Sequence, residues 1–244
     1  MRAFSAAIVC LCALLQSPHA FAQACPTLMQ TAERLLLVTV PSVTASAASL
    51  RLYERRADAG WAPVGAAQPV NVGTRGVAWG PTFRALAGDG EPVKVEGDKR
   101  SPAGFYAVGR PFGFAPSPLA NYLRLRASHV CVEDPASPAY NAITSEKSLG
   151  RAAGTENMGR MPRYRRGLVI DYPTDAAARA GSCIFIHIWK GPGRSTEGCV
   201  TLPEQRVAAL QKFANGHPTV LALLPETALG KFTDCLPTAI AQSH

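Results

Sequence analysis

Charge is scarce in this 244-residue chain: Asp, Glu, Lys and Arg together make up 17% of it, against 47% apolar residues. A chain so poor in charge and so able to fill a core is neither disordered nor a charged coiled coil, and the lack of a Gly-X-Y period excludes collagen. It carries no internal repeat and no low-complexity linker. Past residue 22, no apolar run reaches the roughly 20 residues that a bilayer-spanning helix needs. There is no His-Glu-x-x-His and no paired Cys-x-x-Cys, so the sequence offers no zinc site. Gly191-Pro192-Gly193-Arg194-Ser195 has the outline of a phosphate loop but lacks its Gly-Lys-Ser/Thr ending, and Glu197 nearby would repel a phosphate.

What the chain does have is turn formers: 21 Gly and 20 Pro. They separate short runs of period-two or continuous apolar pattern, which read as strands. The candidates are 34–40, 49–55, 69–72, 92–96, 105–108, 122–125, 130–132, 168–172, 183–189 and 219–224. One helix is well marked, running from Pro203 through Val207, Leu210 and Ala214 to a stop at Gly216, with Pro218 beyond it. Residues 110–165 are Pro-rich and less regular, with a weakly helical piece near Ser145, and read as long loops or a small subdomain over one end of a sheet. The expectation is a single mainly β domain over residues 23–244, with a few short helices and long loops.

The first 22 residues fit a secretory signal peptide. Arg2 supplies a positive start, 6–15 an apolar stretch, and Ala20-Phe21-Ala22 a small-x-small cleavage site. Removing them takes the net charge from +8 to +7, because Arg2 leaves and no acid does. This excess suits either solubility alone or attraction to a polyanion, and outside the cytoplasm that means cell-wall polymer or an anionic envelope surface rather than nucleic acid. The expected location is periplasmic or cell-wall associated, without a stable membrane anchor.

Cys25, Cys131, Cys183, Cys199 and Cys235 remain after such a cleavage, an odd number for an oxidising compartment. Cys25 and Cys235 lie near the two chain ends, which are commonly close in space, and Cys131 and Cys183 sit in apolar, strand-like contexts. The pairing expected is Cys25 with Cys235 and Cys131 with Cys183, one of three possible connectivities, with Cys199 left free. His129 and Cys131 would share one strand face, as a dyad or metal pair or, in preference, as a surface His beside a disulfide-bound Cys131.

The stretch from Cys183 to Leu202 carries the chemistry. An apolar strand contains His187, a Gly- and Pro-rich turn follows, and Gly198 precedes Cys199. Cysteine acyl transfer needs a thiol, an imidazole to take its proton, and backbone N–H groups able to approach a developing oxyanion. By spacing alone, a core His and a structural Cys fit equally well.

On these residues the chain resembles the L,D-transpeptidase catalytic domain of the YkuD type, bacterial enzymes that cross-link peptidoglycan. His187 stands before Thr196-Glu197-Gly198-Cys199, where the family has a His before Ser/Thr-His-Gly-Cys. Ser101-Pro102-Ala103-Gly104-Phe105-Tyr106 looks like its second element, and Asp134-Pro135 through Tyr140-Asn141 is similar to one divergent branch. The likeness spans roughly residues 35–225. It implies a β-sandwich catalytic domain acting on peptidoglycan stem peptides, with no cofactor and no metal. Cys199 would be the nucleophile that forms a thioester, and His187 the general base. The N–H groups of Glu197, Gly198 and Cys199 would make an oxyanion hole, and the Ile188 carbonyl would orient the imidazole. Thr196, Trp189, Arg194, Arg160 and Tyr164 would meet the substrate, although the basic residues around Tyr164 and beside Trp189 read equally as a solvated surface. The chain departs from the pattern in three places. Glu197 replaces the His before Gly-Cys, Thr201 replaces the Arg or Asn two after the Cys, and the loop from His187 to Cys199 is short. An anion at 197 would disfavour the thiolate or bind a cationic acceptor amine, and the reaction could be transfer to an amine or to water, as in an L,D-carboxypeptidase, unless the departures at Glu197 and Thr201 leave an inactive cell-wall-binding module.

Overall fold

The computed structural model describes residues 25–57, 60–149 and 154–237. The expected signal segment 1–22 lies outside them. After a short helix α1 (Thr27–Thr31) come strands β1 (Arg34–Val40), β2 (Ala47–Arg56), β3 (Gly60–Asn71), β4 (Val77–Trp79), β5 (Ser101–Gly113) and β6 (Leu123–Arg124). Strands β7 (His129–Val132), β8 (Ile143–Ser145), β9 (Thr155–Asn157), β10 (Arg166–Asp171), β11 (Phe185–Ile188) and β12 (Val200–Leu202) follow. Helix α2 (Glu204–Ala214) and strand β13 (Thr219–Pro225) complete the order. The described residues contain no helix long and apolar enough to cross a membrane.

The fold is mainly β, with few and short helices. Hydrogen bonding links β10-β11-β12-β3-β2-β1-β13-β5 in sequence, and β5 pairs back onto β10, so the path returns to its start as a barrel-like ring with β4 and β6 attached to β5. Closure of this kind leaves no long edge along the path. It also differs from the expected two-layer sandwich, in which the strands would divide into separate facing sheets. β1 shows why its sequence is apolar without alternation: it pairs antiparallel with β2 and parallel with β13, and Leu35, Leu36, Leu37 and Val38 are all buried.

Two readings of local structure change. Residues 92–96 make only an isolated bridge, Val93 to Trp79, rather than a strand. Pro92 has no N–H to give a ladder, and the buried Lys94 spends its ammonium on Asp98 and the Val95 carbonyl, which curls the segment into a turn. The piece near Ser145 is strand β8 followed by a single 3-10 turn, Glu146–Ser148. β8 joins β7 and β9 in a separate three-stranded sheet, order β8-β7-β9. That sheet packs its apolar side onto a cluster of Phe112, Leu125, Met158, Tyr164, Phe185 and three cysteines.

α2 starts at Pro203, whose φ of −55° suits a helix entry, and stops before Gly216, whose φ of +76° ends it. Its buried Gln211 donates to the carbonyls of Phe112 and Gly167 at 2.9 and 2.8 Å, and so fastens the β5–β10 closure from outside. Cys25 is bonded to Cys235 and Cys131 to Cys183, the expected connectivity, with Cα separations of 5.3 and 6.0 Å. The first bridge closes a loop of 210 residues. Its removal in Cys25→Ala/Cys235→Ala is expected to destabilise by about 2–5 kcal/mol and to lower Tm by about 5–15 °C, as read by calorimetry at constant pH.

Candidate active site

β11 and β12 run parallel, with His187 in register with Thr201. Cys199 immediately precedes β12, and its side chain and that of His187 line the same cleft. Parallel neighbours need a crossover, and residues 189–199 supply it as an irregular arch. The buried Asn71 of β3 props that arch by donating to the carbonyls of Gly191 and Arg194 at 3.0 and 3.3 Å. The two resembling motifs meet beneath it: Ser101 Oγ accepts from the Gly73 N–H at 3.0 Å and donates to the Gly198 carbonyl at 2.6 Å. Gly198 sits at φ +150°, and a Cβ there would come within 3.3 Å of the Arg100 carbonyl oxygen, so this corner requires glycine.

His187 is buried, and its Nδ1 lies 2.9 Å from the Ile188 carbonyl. A carbonyl only accepts, so Nδ1 carries the proton and the Nε2 lone pair is left free. Burial, reinforced by Arg163 and Lys190, pushes the imidazole down to about 4 despite the opposing Ile188 carbonyl. Cys199 is the one free cysteine among the described residues, also buried, and its thiol donates to the Cys183 carbonyl at 3.5 Å. Burial and the charge of Glu156 push the thiol up to about 12, against the pull of the Phe185 N–H and Arg163. At neutral pH the pair is therefore a thiol beside a neutral imidazole.

Both side chains line one cleft of about 520 Å³. Trp189 and Arg194 line it too, as do Lys99, Lys190 and Glu197 at its rim and Glu96, Glu133 and Glu156 on one wall. Lys99 and Glu197 face each other across the mouth at 3.1 Å, both exposed. Of the expected substrate contacts, Arg160 lies elsewhere, while Tyr164 and Thr196 line the cleft and also make internal contacts. Arg160 is outside this cleft, its guanidinium 3.6 Å from Glu146, and Arg163 is the arginine that enters. Tyr164 is 1% exposed and packs edge-on against the His187 ring with centroids 4.9 Å apart, so it acts as a wall behind the imidazole. Thr196 Oγ1 accepts from the Gly198 N–H at 3.1 Å and donates to the Cys199 carbonyl at 2.6 Å, so its hydroxyl closes the turn. That contact also engages the Gly198 N–H, one of the three N–H groups expected to meet an oxyanion.

The acidic wall is invisible in the sequence because its members come from the loop after β7, from β9 and from the loop before β5. Arg163 pairs with Glu156 at 2.5 Å. Burial and the neighbouring Glu156, Glu96 and Glu197 raise Glu133 to about 7. Folding therefore favours protonated Glu133, and that contribution is present at pH 4–5 and lost as pH rises through about 7. Glu133→Gln is accordingly expected to raise Tm by about 2–4 °C at pH 8, on the order of 1 kcal/mol once solvent screening is allowed for, and to leave it unchanged at pH 5. Thermal melts at the two pH values check this. Thr201 Oγ1 is buried without a hydrogen-bond partner and faces the same cleft. Among the described residues no group of three or more His, Cys, Asp and Glu is arranged to hold a metal ion. His129 lines a different cleft, where its Nδ1 accepts from the Arg126 N–H, and Cys131 is in its disulfide.

No family model matches the chain, and no curated protein matches it. Among solved structures, the helical cell shape determining protein Pgp2 from Campylobacter jejuni aligns at 17% identity and a TM-score of 0.39, over 79% of this chain and 48% of that one. Its K307A mutant gives 18% identity and a TM-score of 0.41 over 80% and 47% of the two chains. Bd1075 of Bdellovibrio bacteriovorus gives 14% and 0.42 over 84% and 52%. The chain spans about half the length of each of these proteins.

Proposed function

We propose that the protein is a cysteine acyltransferase of the L,D-transpeptidase kind, acting on peptidoglycan stem peptides outside the cytoplasm. The observation that carries this reading is the tautomer of His187, whose Nε2 lone pair is free beside the cleft that the Cys199 thiol also lines. In the first step Nε2 takes the thiol proton as sulfur attacks the donor carbonyl carbon. The tetrahedral oxyanion is met by the N–H groups of Glu197 and Cys199, since that of Gly198 is engaged by Thr196. The C–N bond then breaks, the departing amine leaves with the proton from Nε2, and a thioester remains on Cys199. In the second step an acceptor amine attacks the thioester, loses its proton to Nε2, and returns the sulfur to the thiol.

The charges in the cleft suit such a substrate. Arg194 and Lys190 can meet a carboxylate, and Glu133 and Glu96 can meet an ammonium group. Two disulfides fit an oxidising compartment. Incubation with purified disaccharide-tetrapeptide, followed by mass spectrometry, tests the reading. Cross-linked dimers establish transfer, tripeptide without dimers makes the enzyme a hydrolase, and an unchanged substrate removes the proposal.

A further inference from the structure

Cys199 does not face its surroundings alone, because the carbonyl that accepts its thiol proton is held with unusual firmness. Cys183 has φ +56°, a left-handed conformation that costs a side-chain-bearing residue of order 1 kcal/mol or more. Every residue from 180 to 183 is strapped down. Tyr172 Oη donates to the Ala180 carbonyl at 2.6 Å, and Thr174 Oγ1 donates to that of Gly181. Ser182 Oγ donates to Glu96 at 2.7 Å, and the same carboxylate oxygen accepts from Tyr140 Oη. Cys183 itself is tied twice more. Its N–H donates to Asn141 Oδ1 at 2.8 Å, while Asn141 Nδ2 donates to the Tyr172 carbonyl at 3.1 Å, and its sulfur is bonded to Cys131.

We propose that Asn141 and the Cys131–Cys183 disulfide are positioning devices that hold the Cys183 carbonyl against the Cys199 thiol, keeping the sulfur protonated until a base removes the proton, and that a dithiol reductant releases this hold. The inference rests on the reading of Cys199 as the nucleophile. Its physical basis is that a carbonyl accepting from S–H favours the neutral thiol and opposes the anion. Reduction is balanced: the dithiol gives up two electrons and two protons and becomes a disulfide, Cys131 and Cys183 each become thiols, and Cys199 is not oxidised. The other groups facing the sulfur are Glu156 and Glu133 from the small sheet, Arg163 and Tyr164 before β10, and His187 on β11, with Glu197 and Lys99 at the mouth. The substitutions below change none of them.

The test is the pH profile of Cys199 alkylation by iodoacetamide, followed by intact mass on the purified protein. Cys131→Ala/Cys183→Ala and Asn141→Gly are compared with the wild type and with Cys25→Ala/Cys235→Ala, the bridge remote from the cleft. Glycine at 141 tolerates the φ of +64° found there and removes only the side-chain clamp, so this variant decides the matter even if loss of the disulfide prevents folding. The expected result is a midpoint about one pH unit lower in both site variants, a thiolate fraction about tenfold higher at pH 7, and no shift in the remote pair. A faster reaction with an unmoved midpoint would mean mere exposure of the thiol, and that or an unchanged profile overturns the inference. Alkylation needs no cell-wall substrate. A shifted profile without peptide transfer would therefore sink the proposed activity and leave the clamp standing, and transfer with an unshifted profile would do the reverse.

Discussion

Cys199→Ala is expected to abolish both thioester formation and cross-linked product, a loss of at least about 10³-fold, the scale seen when a covalent nucleophile is removed. The substitution deletes one sulfur from a site that is 8% exposed, so the chain should still fold, with Tm lower by no more than a few degrees. Cys199→Ser sharpens the test. It keeps the shape and a donor for the Cys183 carbonyl, but a hydroxyl is a weaker acid than even the raised thiol, and a neutral imidazole is too weak a base to activate it unaided. Trapping of a thioester-linked adduct by mass spectrometry in the wild type, absent in both variants, is the direct measurement. Adduct formation in Cys199→Ala would remove Cys199 from the reaction.

The second large effect belongs to His187. His187→Gln can still donate to the Ile188 carbonyl through its amide, but it cannot take a proton, and turnover should fall by about 10²–10⁴. The same residue fixes two pH dependences. Its folded value of about 4 lies below the usual 6.5, so between those limits the unfolded chain takes up a proton that the folded protein refuses. Stability is then complete above pH 6.5, declines as pH falls, and has lost on the order of 3 kcal/mol from this group below pH 4. His187→Gln should flatten that decline in thermal melts between pH 4 and 7. Turnover of the wild type should persist well below pH 6 and fail only near 4, where the imidazole becomes protonated.

How much of this could be read in advance differs between backbone and site. β1 was visible residue for residue, because Leu35 to Val38 form a continuous apolar run, and α2 was visible from Pro203 and Gly216. That β1 pairs in parallel with β13 was not, since nothing local in either strand encodes its partner. The long strand β3 was only partly seen, because its exposed positions and Gly65 hide the alternation. In the site, Cys199, His187 and Gly198 stood out because they lie within one short segment. Glu133 and Glu156 did not, because they reach the cleft only through the small sheet and the loop beside it. Arg160 and Arg163 show the limit plainly. The sequence marks a basic stretch, and only the 3-10 turn Pro162–Tyr164 decides which arginine turns inward.

The pairing of Arg34 with Thr219, and of each residue after it along β1, has a further meaning for how the chain comes together. During synthesis or translocation from the N-terminus, β1 waits with one side unpartnered until the last strand has followed. High contact order of this sort belongs to chains that fold in milliseconds to seconds rather than microseconds. Until β13 arrives, the apolar stretch from Leu35 to Val38 remains open to pairing with other chains, and this interval is when a holding chaperone would protect the protein from aggregation.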